Sequence, residues 1–315
     1  MQNDRRKLII TADDFGAALN INEGIRKAAE NGSITAISAL TNFTESIVDL
    51  KELSIKYPGI GIGVHLNIEA GKPVLDPSKI PSLINEEGYF YSLDSILTMI
   101  SSVSLNEVRL ELRAQVNILV ENGIRVDHLS DHCGIISLYT PFTQIMKELA
   151  VEYDIPVRSP ILASMEFPKL FRTSVMKKKG RDLVCKTFVK NPVKAIGLVK
   201  YCSKKEMRRK QQELKKVGIP HTDFLFECFW GSPSMEYLSF ILNNLPAGTS
   251  EVIVHLGTET RKGLMPSGID IEYFDKREIE LEVITDPSIK GLIERENIQL
   301  IGFSDLKGSP KTGFN

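Results

Sequence analysis

The feature that most limits what this chain can become is a rhythm. Short apolar, β-branched runs recur between stretches with helical periodicity. The runs are Lys7–Thr11, Ile34–Leu40, Gly61–Asn67, Ile124–Leu129, Val157–Arg158, Thr222–Phe226, Ser250–His255 and Ile298–Gly302. Helices are predicted between them. Ile21–Asn31 stops at Asn31-Gly32, and Ser46–Tyr57 stops before Pro58-Gly59. Asn106–Asn122 carries Val108, Leu112, Val116, Leu119 and Val120 at helical spacing and ends at Gly123. Thr140–Tyr153, Ser234–Asn244 and Ser288–Glu296 follow the same pattern. Strand alternating with helix predicts an α/β fold around a parallel sheet. About seven such units fit a distorted, seven-stranded (β/α) barrel better than two separate domains. The expectation is a single domain spanning 1–315.

One segment breaks the rhythm. From Glu166 to Lys216 there are 17 Lys/Arg against 4 Asp/Glu, which leaves 22 basic and 36 acidic residues elsewhere. We read 160–220 as a mainly helical basic insertion, with "KKEMRRKQQELKK" as an exposed, solvated helix. The sharper alternative is a basic lid over an anionic ligand or a membrane surface. Little aromatic interleaving supports base stacking. A formal net charge of −1 implies no polyanionic partner for the whole chain. No apolar run reaches membrane-spanning length, and "MQNDRRKLII" lacks the long apolar core of a signal peptide. Cys133, Cys185, Cys202 and Cys228 have neither disulfide-framework nor CxxC spacing. Reduced thiols in a cytoplasmic protein are expected, with no nucleic acid partner and no stable membrane association.

The chemistry gathers at strand ends. In "LIITADDFGAALN" an apolar run breaks into Asp13-Asp14. A buried carboxylate costs several kcal/mol unless it is paired or bound to a cation. Of the five histidines, His65 ends "GIGVHLN", His128 and His132 sit in "VDHLSDHCG", and His255 ends "EVIVHLG". The C-terminal ends of parallel strands converge on one face, which carries the active site. One carboxylate and two imidazoles would suit one divalent metal ion: Zn²⁺, Co²⁺, Ni²⁺, Fe²⁺ or Mn²⁺, or Mg²⁺ with more waters. A cation-activated water, the second aspartate as general base and a further histidine as acid would then make a hydrolase.

Each residue also has a plainer reading. Asp13-Asp14 could cap the helix that follows, and His65 could be a satisfied core histidine. His128 reads as a structural group or a support to a ligand, and His132 as the ligand itself. His221 lies at the wrong end of its strand. Cys133 reads as a packing residue rather than a soft ligand or nucleophile. Only the joint pattern favours a site.

"TADDFG", "GVHLNIEAGKPV", "DHLSDH" and the strand-end His255, followed by "REIELEVITDPSIKGLIERENIQLIGFSDL", resemble the YdjC/ChbG family of carbohydrate deacetylases from Leu8 to Leu306. That family is itself similar to NodB-type polysaccharide deacetylases, which hold a divalent metal with Asp-His-His on a (β/α) barrel. The resemblance implies Asp14, His65 and His132 as metal ligands, Asp13 as general base, and His255 as acid or substrate contact. It implies zinc or magnesium first, and an N-acetylated mono- or oligosaccharide substrate. Arg158 is expected to orient Asp13 or bind substrate, with a surface ion pair as the equal alternative. Asn67, Glu69 and Lys72 are expected to line the mouth or to form a solvated loop. His128 and Asp131 are expected to support the ligands. Departures are Ser130 at the family's usual Asp, Asp131 at its usual Ser or Gly, Cys133-Gly134, and His255-Leu256 for His-Pro. Two other readings stand beside deacetylation: hydrolysis of another amide or a phosphoester, and a carbohydrate-binding barrel without turnover. A homodimer is a common outcome for enzymes of this size.

Overall fold

The computed structural model describes residues 5–167, 203–227, 233–258 and 274–307. Seven strands form one sheet: β1 (Arg6–Phe15), β2 (Ala36–Ala39), β3 (Gly61–Leu66), β4 (Val126–Asp131), β5 (Phe224–Phe226), β6 (Gly248–Val254) and β7 (Gln299–Leu300). The spatial order is β4-β3-β2-β1-β6-β5, with β7 also on β1, and every pairing is parallel. β6 lines one edge of β1 from Arg6 to Ala12. The other edge is shared, with β7 beside Lys7 and Leu8 and β2 beside Thr11 onward.

The sheet curls until β4 and β5 approach each other. Between them runs the segment expected to be a strand at Val157–Arg158. It makes only single bridges, Leu129 to Val157, Val157 to His221 and Leu162 to Leu225. Pro156 and Pro160 flank it and lack the N–H that a full ladder needs. This irregular seam is the distortion in the barrel.

The central strand shows how the core is divided. Leu8 to Phe15 are all buried, as expected for a parallel strand covered on both faces. Leu8, Ile10 and Ala12 belong to the large core beneath the outer helices, which include α1 (Leu19–Asn31), α2 (Ile47–Lys56), α3 (Leu105–Glu121) and α4 (Thr140–Glu152). Ile9 belongs instead to a small cluster with Ala36, Ile301 and Phe303. Above that cluster the His128 ring stacks on Phe303 at 4.0 Å and bonds Ser38 Oγ at 3.0 Å. Gly63 makes room for it, since a Cβ there would come within 2.3 Å of the imidazole.

Within 160–220, helix α5 (Lys204–Val217) is described, and residues 168–202 of the expected insertion lie outside the described residues. α5 is not solvated all round, as the sequence reading had it. It buries Met207, Lys210 and Leu214, and Lys210 Nζ donates to the Ser137 and Leu138 carbonyls at 2.7 and 2.6 Å. Among the described residues no helix is long and apolar enough to cross a membrane.

Candidate metal centre and active site

Adjacent strand residues normally point to opposite faces. Asp13 and Asp14 nonetheless share one site, because β1 is irregular there. The register with β2 shifts between Ala12 and Phe15, and Asp14 has φ +72°. A bulge with one residue in the left-handed region re-aims a side chain, a device common beside active sites. Neither aspartate caps α1, whose N-cap is Ala18 with no side-chain bond.

Both carboxylates are buried. Asp13 is gripped by Arg158, whose Nη1 and Nη2 donate to its two oxygens at 2.8 and 2.7 Å. Arg158 Nε donates to Glu251 Oε1 at 3.0 Å, and Thr11 Oγ1 donates to the same oxygen at 2.8 Å. Burial alone would raise the Asp13 pKa, but the Arg158 guanidinium, helped by His65 and His255, holds it at about 2. Asp14 Oδ2 accepts from Arg277 Nη2 at 2.6 Å. Despite the burial of Asp14, Arg277 and the neighbouring imidazoles keep its pKa well below the usual range.

The other oxygen, Asp14 Oδ1, is buried and has no hydrogen-bond partner among the described residues. Two imidazole nitrogens face it, His65 Nε2 at 3.5 Å and His132 Nε2 at 3.7 Å. In each ring the opposite nitrogen is already engaged. His65 Nδ1 bonds Ser130 Oγ at 2.8 Å, and that hydroxyl donates to the Val64 carbonyl. His132 Nδ1 bonds Glu69 Oε1 in a very short contact. Such partners fix the tautomer and aim Nε2 at a cation. Ligand atoms on one ion with bonds of about 2.0–2.2 Å lie ~3–3.5 Å apart, close to these separations. An orphaned buried carboxylate oxygen facing two imidazole nitrogens therefore fits a divalent cation held by Asp14, His65 and His132. Glu69, His132 and Cys133 also bring one donor atom each within 4.8 Å of one another.

The remaining expected site residues fall as follows. Asn67 is buried and spends its amide on the loop, receiving the Glu69 and Ala70 N–H groups and donating to Asn42 and the Ala70 carbonyl. Glu69 stands behind His132 and does not line an open mouth. Asp131 holds the turn after His132, accepting from the Ser137 N–H and hydroxyl at 2.8 and 2.6 Å. His128 sits deeper in the barrel, on Ser38 and Phe303. His255 follows β6. Burial lowers its pKa, helped by Arg277 and His65, and overrides the opposing pull of Asp14 and Asp13, leaving it at about 4 and neutral at pH 7.

Three residues were given no role from the sequence. Arg277 and Glu280 come from α7 (Phe274–Thr285), preceded in numbering by α6 (Met235–Asn243). Arg277 reaches Asp14, and Glu280 Oε2 accepts the His255 backbone N–H at 2.7 Å. Their i, i+3 spacing in "REIE" puts both on one helix face, which was the available signal. Glu227 follows β5. Burial raises its pKa to about 7, against Arg158 and with Asp13 and Asp131 nearby. A carboxyl raised in this way stabilises the fold below its ordinary pKa and loses that contribution as pH rises through about 7. Glu227→Gln is expected to be about 1–2 kcal/mol more stable than the parent at pH 8, a few degrees in Tm, and to converge with it toward pH 5. Thermal melts across that range measure it.

The surroundings of His132 bear on how a cation there would depend on pH. Burial would lower its pKa, but Glu69 and Cys133 hold it well above the ordinary value. A cation taken at Nε2 would therefore compete with a proton held on the imidazole. Zinc affinity is expected to rise with pH as that proton is lost, read by competition titration, and a flat profile would contradict it.

The class of protein is set by a curled parallel α/β sheet that gathers carboxylates and imidazoles at its strand ends. The family model of the YdjC-like proteins matches residues 7–295, and the chain belongs to that family. A carbohydrate deacetylase of Thermoanaerobacter pseudethanolicus is 25% identical over 314 residues, covering 95% of this chain and 99% of the relative. One from Brevibacillus brevis is 32% identical over 302 residues, covering 95% and 99%. Among solved structures, a protein of Enterococcus faecalis described as a cellobiose-phosphate cleavage protein superposes with a TM-score of 0.71. It is 24% identical and covers 96% of this chain and 99% of its own.

Proposed function

We propose that this protein is a metal-dependent carbohydrate deacetylase that removes the acetyl group from an N-acetylated sugar or short oligosaccharide. The observation that carries the reading is the unpartnered, buried Asp14 Oδ1 facing His65 Nε2 and His132 Nε2. Full-length relatives described as carbohydrate deacetylases support the substrate class.

Asp14, His65 and His132 hold one divalent cation, with zinc or magnesium first and cobalt, nickel or manganese also compatible. When bound, the cation supplies Lewis-acid activation of water and of the amide carbonyl. Asp13 is ionised at rest across the working range, fixed by the Arg158 fork. Its carboxylate orients the attacking water and takes its proton. Arg158 thus positions the base, with both outer nitrogens already committed to Asp13. His255 is neutral at rest, so it cannot act first as a donor. It receives the proton that Asp13 removed from water and passes it to the sugar nitrogen as the C–N bond breaks. The products are acetate and the free amine. Glu280 holds the His255 backbone in place for that transfer. The cysteine pattern supports a cytoplasmic setting.

Acetate release from a panel of N-acetylated mono- and disaccharides, neutral and charged, tests the reading. Release from at least one neutral member is expected, and it should be lost in Asp13→Asn. Turnover confined to non-acetylated phosphoesters or to other amides would overturn it.

A further inference from the structure

Cys133 departs from the family pattern and sits against the cation cluster in a way the deacetylase mechanism does not need. Its Sγ lies 4.0 Å from His132 Nε2, the same nitrogen that is 3.7 Å from the unpartnered Asp14 Oδ1. Glu69, His132 and Cys133 each place a donor atom within 4.8 Å of the others, while Glu69 is bound to His132 Nδ1, so Nε2 is the nitrogen shared between Sγ and Asp14 Oδ1. The backbone is arranged to present the thiol. Cys133 has φ +52° and Gly134 φ +72°, two left-handed residues in succession, and Asp131 pins the turn through Ser137. Cys133 as a whole residue remains accessible to solvent.

We propose that Cys133 Sγ is an additional protein ligand to the cation held by Asp14, His65 and His132, and that it biases the centre toward thiophilic ions such as Zn²⁺ and Co²⁺ over Mg²⁺ and Mn²⁺. The inference rests on the metal-centre reading above. Sulfur binds as the thiolate, with its proton released to solvent, and one S–metal bond forms. Thiolate donors favour zinc and cobalt, whereas carboxylate and water favour magnesium and manganese. With Sγ bound, a five-coordinate ion would still leave a position for water or substrate, an expansion known for catalytic zinc.

Cobalt substitution of the whole, metal-stripped protein provides the test. Bound cobalt is quantified by elemental analysis and by its visible d–d bands. The expected result is an added near-ultraviolet thiolate-to-cobalt charge-transfer band, absent in Cys133→Ser. One equivalent of zinc should also slow alkylation of Cys133, read on its own peptide by mass spectrometry. The zinc-to-manganese affinity ratio should fall by at least about tenfold in Cys133→Ser. The parent protein alone decides the matter if the variant folds poorly. Stoichiometric cobalt with d–d bands, no charge-transfer band and undiminished alkylation would overturn the proposal and leave the Asp14–His65–His132 site standing. Failure to bind cobalt at all would overturn both.

Discussion

Asp14→Asn reduces metal retention to background and lowers kcat/KM by at least about a thousandfold, or about 4 kcal/mol of transition-state stabilisation. The substitution keeps the volume and removes the charge. Asp14 Oδ1 faces both His65 Nε2 and His132 Nε2, so its charge is what would draw the three donors onto one cation in the proposed site. Asp14 also takes Arg277 Nη2 on its other oxygen, and the variant weakens that contact as well. Metal content after dialysis, measured by elemental analysis beside a melting curve, separates the two effects. Full metal occupancy in a folded variant would refute the ligand set.

Arg158→Met is the second large effect, and it falls on stability as well as on turnover. Arg158 lies within the barrel and neutralises two carboxylates at once, Asp13 through a two-pronged contact and Glu251 through Nε. Removing one partner of a buried pair leaves an uncompensated charge and typically costs about 3–5 kcal/mol. In a chain of this size that corresponds to a Tm lower by about 6–15 °C. The pH dependence follows from Asp13. Its depressed pKa contributes stability that is present above its ordinary value of 3.8 and lost as pH falls through about 2. In Arg158→Met that contribution disappears, and burial pushes the Asp13 carboxyl upward, so the acid limb of kcat/KM moves to higher pH. Arg158→Lys restores charge without the planar fork and should recover part of the stability and less of the activity. A melt and a pH–rate profile on the two variants check this, and unchanged profiles would remove Arg158 from the mechanism.

The sequence carried the barrel because its strands are short, β-branched and buried on both faces, and that composition leaves few other solutions. It carried His65 and His132 for the same reason, since each closes or follows a strand on the face where ends converge. It could not carry the left-handed backbone at Asp14, because the amino-acid letters do not record a bulge. Yet that bulge is what lets two neighbouring aspartates enter one site. The partner of His132 was also hidden. Glu69 looked like a mouth residue from its position just past His65, but the chain folds back and buries it against the imidazole. Arg277 and Glu280 lie about 260 and 25 residues from the groups they hold, and only tertiary contact reveals them. Val157–Arg158 does lie between β4 and the β5 side, but the flanking prolines reduce the expected strand to single bridges.

The most direct measurement is acetate release by protein stripped with a chelator and then reloaded with increasing zinc. Activity on an N-acetylated sugar should vanish on stripping and return in proportion to bound zinc, saturating at one ion per chain. Undiminished acetate release from the stripped protein would contradict a cation held by Asp14, His65 and His132 as the working centre.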